Sequence, residues 1–534
     1  MSDPHDPAPP QPPSPQVERA DLLELQARLH ALSDAGRPAA VERRRKTGQR
    51  TVRENLAHLL DEGSFVEYGA HAVAAQRQRL AEDELRAQSP ADGIVCGFGT
   101  INAAEHGVER ARAAVAAYDY TVFAGTQGHF GHRKLDRLLE LAGRSRTPVV
   151  LFAEGGGGRP NDLDVPTVAG LDTRSFHAFA ALSGLLPRVG IASGRCFAGN
   201  AALLGCCDVV IATEDSTIGM GGPAMIEGGG LGVFTPEEVG PIDVQTKNGV
   251  VDLRVKDEAE AVSVAKRYLS YFQGPLARFS AADQTALRAA LPESRRRAYQ
   301  VRPLLETLFD HGSVLELRQA FGRSVVTALA RLEGLAVGVL ASDTMHLGGA
   351  VDADASDKAA RFLQLCDAFG LPVVSLCDTP GFMVGPPAEK TALVRHAARL
   401  FVAAASLTVP WLTVVLRKGY GLGAQALSGG HFHAPLLTVS WPGGEFGGMN
   451  LEGAVKMGMK KQLAAIEDPE GREAALQQLI ALAYEKGRAL NMAALLELDA
   501  VIDPAETRAV LLRGLRTMPV PPQATRPRRF IDTW

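Results

Sequence analysis

The sequence has no apolar run fit to cross a membrane. Its best candidate, Leu400–Leu416, is split by Pro410 and diluted by Ser406, Thr408 and Thr413, so a helix–turn–strand passage explains it better than a span. Cysteine is scarce. Cys96, Cys196, Cys206, Cys207, Cys366 and Cys377 show neither CxxC spacing nor the density of a disulfide framework, which argues against structural zinc and for buried thiols in a reducing cytoplasm. Neither charge sign dominates: 56 Lys and Arg stand against 60 Asp and Glu. No basic cluster is interleaved with aromatics, so nucleic acid is not a partner, and Arg43–Lys46 and Arg295–Arg297 read as solvated helix faces. The first residues, SDPHDPAPPQPPSPQ, lack the apolar core of a signal peptide and predict a disordered tail over residues 1–16.

The common catalytic signatures are missing as well. No GxxxxGK[ST] loop for ATP, no HExxH and no GxSxG nucleophile elbow occurs. His129 and His132 lie in a glycine turn with Asp136 the only nearby carboxylate, and His431 and His433 merely flank Phe432, so no metal site is expected. Gly419, Gly421 and Ala424 meet a relaxed G-x-G-x-x-A pattern. The helix after them is cut short by Ser428-Gly429-Gly430, and Glu445, at ribose distance, falls in a glycine loop. A dinucleotide site is therefore disfavoured.

What is present is an ordinary globular composition, 46% hydrophobic and 22% charged over 534 residues, which is too long for one core and predicts two large domains. Leu22, Leu23, Leu25, Leu29 and Leu32 predict a helix within Val17–Ala35. Thr51-Val52-Arg53-Glu54 is a capping-box pattern opening another, with strand resuming at Phe65-Val66-Glu67. From about Ile94 strands alternate with helices: strands at Ala113–Val122, Pro148–Ala153 and Val189–Ala192, helices at Lys134–Ala142 and near Thr173–Leu186. Glycine turns fall at Gly125 and Gly128, at Gly155–Gly158 and at Gly194–Gly199. This is an α/β pattern with largely parallel sheets. Pro275–Val301 reads as the connection between domains.

The most informative stretch is Trp411–Leu427, WLTVVLRKGYGLGAQAL. A buried strand runs into a turn at Gly419, Gly421 and Gly423 that opens a helix, and amides at such a start suit an anion or a developing oxyanion. The element occurs twice. A shift of 224 residues carries Asp119 onto Asp343, Gly125 onto Gly349, Lys134 onto Lys358, Pro148-Val149-Val150 onto Pro372-Val373-Val374, Glu154 onto Asp378, Gly157 onto Gly381 and Gly199 onto Gly423. At a longer offset Asp61–Ser64 corresponds to Asp310–Ser313. The chain is a duplicated α/β domain. Two matched amide turns suit a reaction in which two carbonyl oxygens each become anionic, one per substrate, with each donor worth ~3 kcal/mol of transition-state stabilisation. Glu154 and Asp378, at matching strand ends, are expected to bond loop amides and hold the turns.

From about Val17 onward the chain resembles the carboxyltransferase subunits of biotin-dependent acyl-CoA carboxylases. The motifs that carry the resemblance are RKTGQRTVRENLAHLLDEGSFVE, DYTVFAGTQG, ASDKAARFLQLCDAFGLPVVSLCDTPGF and RKGYGLGAQAL. It implies two crotonase (ClpP)-like domains with a β-β-α superhelix, residues 17–290 on the acyl-CoA side and 291–534 on the biotin side. It also implies transfer of a carboxyl group from carboxybiotin to the α-carbon of an acyl-CoA, chemistry that needs no strong side-chain base. Carried over, the thioester-binding amides fall on Ala198 and Gly199 and the biotin-binding amides on Leu422 and Gly423, with Gly421 beside them. Gly125, Gly155, Gly156, Gly157 and Gln425 line the acyl-CoA side.

The resemblance further implies a separate biotin carboxylase and a biotinylated carrier, since Val455-Lys456-Met457 lacks the first Met of a biotin attachment site. A homo-oligomer, usually a hexamer, is implied too, with each site shared between subunits. Three departures stand out: Ala198 where many members have glycine, the loop EGGGGRPND, and Gln425 where propionyl- and acetyl-CoA enzymes have Asp. They point towards the long-chain or fused branch. The same sequence also fits a biotin-dependent decarboxylase component, or an acyl-CoA-binding scaffold without transfer.

Overall fold

The computed structural model describes residues 19–164, 171–517 and 530–534; the tail expected over residues 1–16 lies outside them. Two sheets are built to one plan. The first takes β1 (Val66–Tyr68), β2 (Ile94–Thr100), β3 (Arg112–Tyr118), β4 (Val149–Phe152), β5 (Arg188–Ala192), β7 (Val209–Thr213) and β9 (Leu253–Val255) in that order, with β6 (Arg195–Phe197) and β8 (Thr217–Gly219) forming a separate pair. The second takes β10 (Leu315–Leu317), β11 (Val325–Leu332), β12 (Leu335–Ser342), β13 (Val373–Thr379), β14 (Trp411–Tyr420), β15 (Leu437–Ser440) and β17 (Ala500–Val501), with β16 (Glu445–Gly447) on the end of β14. In each sheet the first three strands are antiparallel and the rest parallel. The parallel strands are buried on both faces, which is why VVLF and WLTVVL read as apolar runs, the second broken only by Thr413.

The repeat is visible bond by bond. Helices His129–Ser145 and Ala353–Phe369 are each 17 residues long and stand 224 apart. Gln127 N–H donates to Gly157 O at 2.9 Å, and Val351 N–H to Gly381 O at 3.0 Å. Asp119 and Asp343 each cap the residue two ahead and pair with an arginine, Arg37 at 2.9 Å and Arg302 at 2.8 Å. The Asp61–Ser64 and Asp310–Ser313 turns match too, with Ser64 N–H on Asp61 O at 3.1 Å and Ser313 N–H on Asp310 O at 3.0 Å. One core cluster runs across both halves. It holds Val209 and Tyr268 from the first and Phe362 and Trp411 from the second, and Arg361 reaches over to Asp208 O at 2.7 Å.

The helix expected within Val17–Ala35 forms as Ala20–Leu32; none of its residues is buried, and Leu22, Leu23, Leu25 and Leu29 are 43–49% exposed. Three expectations need correction. The helix near Thr173–Leu186 is only Ser175–Ala180, and the chain continues in turns through Gly184, where φ is +66°. Gly194–Gly199 is not one turn: β6 occupies Arg195–Phe197. Gly419 belongs to the strand, since pairing of Lys418–Tyr420 with β16 carries β14 past it. The Thr51 capping box is present, with Thr51 and Glu54 exchanging hydrogen bonds at 2.8 and 3.1 Å.

The gapless shift also slips. Val149 faces Arg188 where Val373 faces Trp411, so a shift of 224 on one strand becomes 223 on the next. Tightness at the turns is common to both halves. A Cβ on Gly125 would stand 2.3 Å from Glu154 O, and one on Gly349 2.5 Å from Asp378 O, both at positive φ. We expect Gly125→Ala and Gly349→Ala each to destabilise the fold by more than about 1 kcal/mol in chemical denaturation. Gly158→Ala, which meets nothing within 4 Å, should stay within about 0.5 kcal/mol of wild type.

Candidate active site

In each half a loop after a buried strand faces the start of a short helix. In the first half the loop Gly155–Gly158 is stitched to β6 by Gly155 N–H on Arg195 O at 2.7 Å and Phe197 N–H on Gly155 O at 2.9 Å. Helix Gly199–Gly205 then begins directly after Ala198. In the second half, helix Gly421–Ala426 follows β14. Gly423 lies so close to the loop that a Cβ there would be 2.6 Å from the Gly381 carbonyl carbon. Only glycine allows that approach.

The structure sorts the expected site residues into two groups. Gly125 and Gly155 are buried, and each blocks a Cβ on the other's side of the contact, 2.4 Å from Gly125 O in the case of Gly155; they are packing glycines. Gly156, Gly157, Ala198 and Gly199 are part-open. Leu422 is 63% exposed, with Gln425 exposed one turn on along the same helix face. Among the described residues no acceptor meets the N–H groups of Gly156, Gly157, Gly199, Leu422 or Gly423, so these are the free donors. Ala198 is not one of them. Its N–H donates to Gly219 O at 3.1 Å, because pairing of β6 with β8 extends one residue past the strand.

Ala198 instead contributes shape and strain. Its φ of 51° and ψ of −121° lie where glycine alone is at ease, at a cost of about 1–3 kcal/mol. Gly421, with φ +57°, occupies the equivalent backbone position, one residue earlier than the 224-residue shift predicts. The Ala198 methyl also explains part of the four-glycine loop, since a Cβ on Gly157 would be 2.9 Å from it.

No side chain here is set up as a strong base or nucleophile. Glu154 does not bond loop amides as expected. Its carboxylate meets the Arg44 guanidinium at both oxygens, one bond being 2.8 Å, with Glu258 3.5 Å from the same guanidinium. Burial pushes Glu154 up to about 7 against the pull of Arg44. Asp378 takes the Lys418 backbone N–H at 3.2 Å and Arg417 at 3.1 Å. Burial raises the Cys196 thiol far above its ordinary value, so it carries no thiolate. Glu445 accepts the Tyr420 hydroxyl at 2.9 Å and faces Arg295 at 3.2 Å, which takes it out of any ribose contact. No cluster fit for a metal ion occurs among the described residues. Sequence reasoning placed Arg44 on a solvated helix face, where the structure buries it, and gave no role to the buried side chains Tyr118, Gln127 and Asn200, although Gln127 lies within the DYTVFAGTQG motif.

A family model described as the carboxyl transferase domain matches residues 43–530. The chain belongs to the carboxyl transferase family. The enzyme is 31% identical to the propionyl-CoA carboxylase beta chain of Saccharopolyspora erythraea, over 93% of this chain and 92% of that one. A solved single-chain, multi-domain long-chain acyl-CoA carboxylase superimposes with a TM-score of 0.88 at 57% identity, covering 93% of this chain and 49% of that longer one. The transcarboxylase 12S structure, a hexamer solved with methylmalonyl-CoA, gives 0.81 at 30% identity over 97% of this chain and 99% of the other. The two sheets are thus the two crotonase-like halves of a carboxyltransferase.

Removing Glu154 should separate folding from chemistry in this carboxyltransferase. Glu154→Ala leaves the 6%-exposed Arg44 with only Glu258, 3.5 Å away, as counter-charge and should cost about 3 kcal/mol by thermal or urea unfolding. Transfer per folded molecule should fall far less than the stability does; a complete loss of turnover in folded protein would make Glu154 a chemical participant.

Proposed function

We propose that this chain is the carboxyltransferase component of a biotin-dependent acyl-CoA carboxylase, moving a carboxyl group from a carrier-bound carboxybiotin to the α-carbon of an acyl-CoA. The observation that carries the reading is the pair of backbone-equivalent turns with unpartnered amides, one per half. Biotin, when bound, supplies the carboxyl group and the base left by its departure. The protein's own part is to bind and orient. Gly199, with Gly156 or Gly157 across the loop, offers N–H groups to a thioester oxygen whose charge grows as the α-proton leaves. Leu422 and Gly423 offer theirs to the ureido oxygen. The second turn fits a flat, uncharged ring: its amides are free, Leu422 projects beside them, and no acidic side chain bonds the helix start. On this reading residues 17–290 form the acyl-CoA domain and 291–534 the biotin domain.

The substrate class we favour is a long-chain acyl-CoA. Support comes from the 57% identity to the long-chain enzyme and from the segment after β8. There Met220, Met225, Leu231 and Phe234 are 43–75% exposed, giving an apolar path away from the first turn that a propionyl group would not need. Biotin carboxylase and carrier functions reside elsewhere than in the two halves described, as partner subunits or fused domains. The uncovered leucine face of helix Ala20–Leu32 supplies apolar surface for a second copy, in keeping with a hexamer. Six free cysteines accord with a reducing cytoplasm.

The test is reconstitution with a biotin carboxylase, carrier, ATP, labelled bicarbonate and a panel of acyl-CoAs. Acid-stable label should appear with at least one ester and most efficiently with long chains; none with any ester, given active partners, would overturn the assignment. Leu422→Pro, which deletes one free donor of the second turn at an exposed position in the first helical turn, should cut transfer by about 100-fold or more while CoA-ester binding, followed by calorimetry, persists.

A further inference from the structure

Because one fold is used twice, each half is a control for the other. The first half holds a buried polar chain that the second does without. Gln127 Nε2 donates to Asn200 Oδ1 at 2.7 Å and lies 3.2 Å from the Tyr118 hydroxyl. Asn200 Nδ2 in turn donates to the carbonyls of Gly125 and Glu154, at 3.0 Å each. Asn200 is fully buried and Gln127 is 4% exposed. In the second half Val351 stands where Gln127 does. By backbone register Gly423 stands where Asn200 does, closing straight onto Gly381 without a side chain between. The fold itself therefore does not require the polar chain. Burying two primary amides is costly unless every bond is made, so their presence in one half alone calls for a role there.

That role is legible in what they touch. Asn200 sits two residues after Ala198 in the first turn of helix Gly199–Gly205, and it pins that turn to both strand-end loops at once. Gln127 is held against Gly199, where a Cβ would come 2.1 Å from its Oε1. The second half places glycine at the positive-φ position and needs no clamp; the first half places alanine there. We propose that Gln127 and Asn200 are positioning residues of the acyl-CoA turn, clamping it so that Ala198 stays in a backbone conformation alanine avoids and the Gly199 N–H keeps its aim across the glycine loop. The catalytic part of this claim rests on the carboxyltransferase reading of the turn; the clamp itself does not.

The experiment substitutes the second half's solution into the first. Asn200→Ala and Gln127→Val should each lower kcat for acyl-CoA carboxylation roughly tenfold or more, since small misplacements of a donor are expensive, with KM for the carboxylated carrier unchanged. Hydrogen exchange of the 198–200 amides should speed up in both. Ala198→Gly, added to Asn200→Ala, should recover most of the lost rate and slow exchange again, because glycine holds that conformation unaided. Unchanged kcat per folded enzyme in Asn200→Ala, or no recovery on adding Ala198→Gly, would overturn the positioning role. If wild type itself fixes no label, the carboxyltransferase reading falls, and exchange alone then decides the clamp: unchanged exchange in Asn200→Ala sinks it, faster exchange reversed by Ala198→Gly sustains it.

Discussion

Backbone packed directly on backbone is the constraint from which the rest follows. At Gly125 and Gly155, at Gly349 and the Asp378 carbonyl, and at Gly423 and Gly381, two chain segments meet with no room for a Cβ. That closeness brings a strand-end loop opposite a helix start and leaves the amides of Gly156, Gly157, Gly199, Leu422 and Gly423 without an acceptor among the described residues. A donor that is part of the main chain is rigid, does not titrate and needs no reorganisation as charge develops. The ion pairs Arg44–Glu154 and Arg417–Asp378 stand beside the turns and brace the strand ends.

Duplication then lets the halves diverge around a common frame. The sheets, the 17-residue helices and the capped aspartates are kept, while the residues at the turns differ. The second turn carries glycine at its positive-φ position and an exposed Leu422 beside the donors, an open, apolar lip. The first carries Ala198, a buried amide clamp and a glycine loop shaped partly by the alanine methyl. An open lip suits a ring delivered on a mobile carrier; a braced turn suits a thioester whose α-carbon must be held for proton removal.

Much of this was legible in the sequence, for identifiable reasons. The buried parallel strands announced themselves as apolar runs, and the turns as glycines following them. The duplication was legible because strand, turn and helix lengths are kept. The one-residue slip between β4 and β5 was not, since a gapless match in sequence carries no information on which residues pair across strands. Ala198 was taken as a donor because the family's thioester-binding amides carry over onto it; its engagement with Gly219 depends on β6 meeting β8, which motif matching does not reveal. The roles of Arg44, Gln127 and Asn200 were hidden for a similar reason: Arg44 acts through Glu154, 110 residues away, Gln127 through Asn200, 73 away, and Asn200 through Gly125 and Glu154, 75 and 46 away. The exposed leucines of the first helix show the converse limit, because periodicity says that a face is apolar and not what covers it.

The division of labour between the halves can be seen in a crystal structure with a non-hydrolysable acyl-CoA analogue. The acyl carbonyl oxygen, or its surrogate, should lie within about 3 Å of the Gly199 nitrogen and of a nitrogen in Gly156–Gly157. The acyl chain should run along Met220–Phe234, and Leu422 and Gly423 should stay free. An acyl carbonyl seated on Leu422–Gly423, or one that touches neither turn, would contradict it.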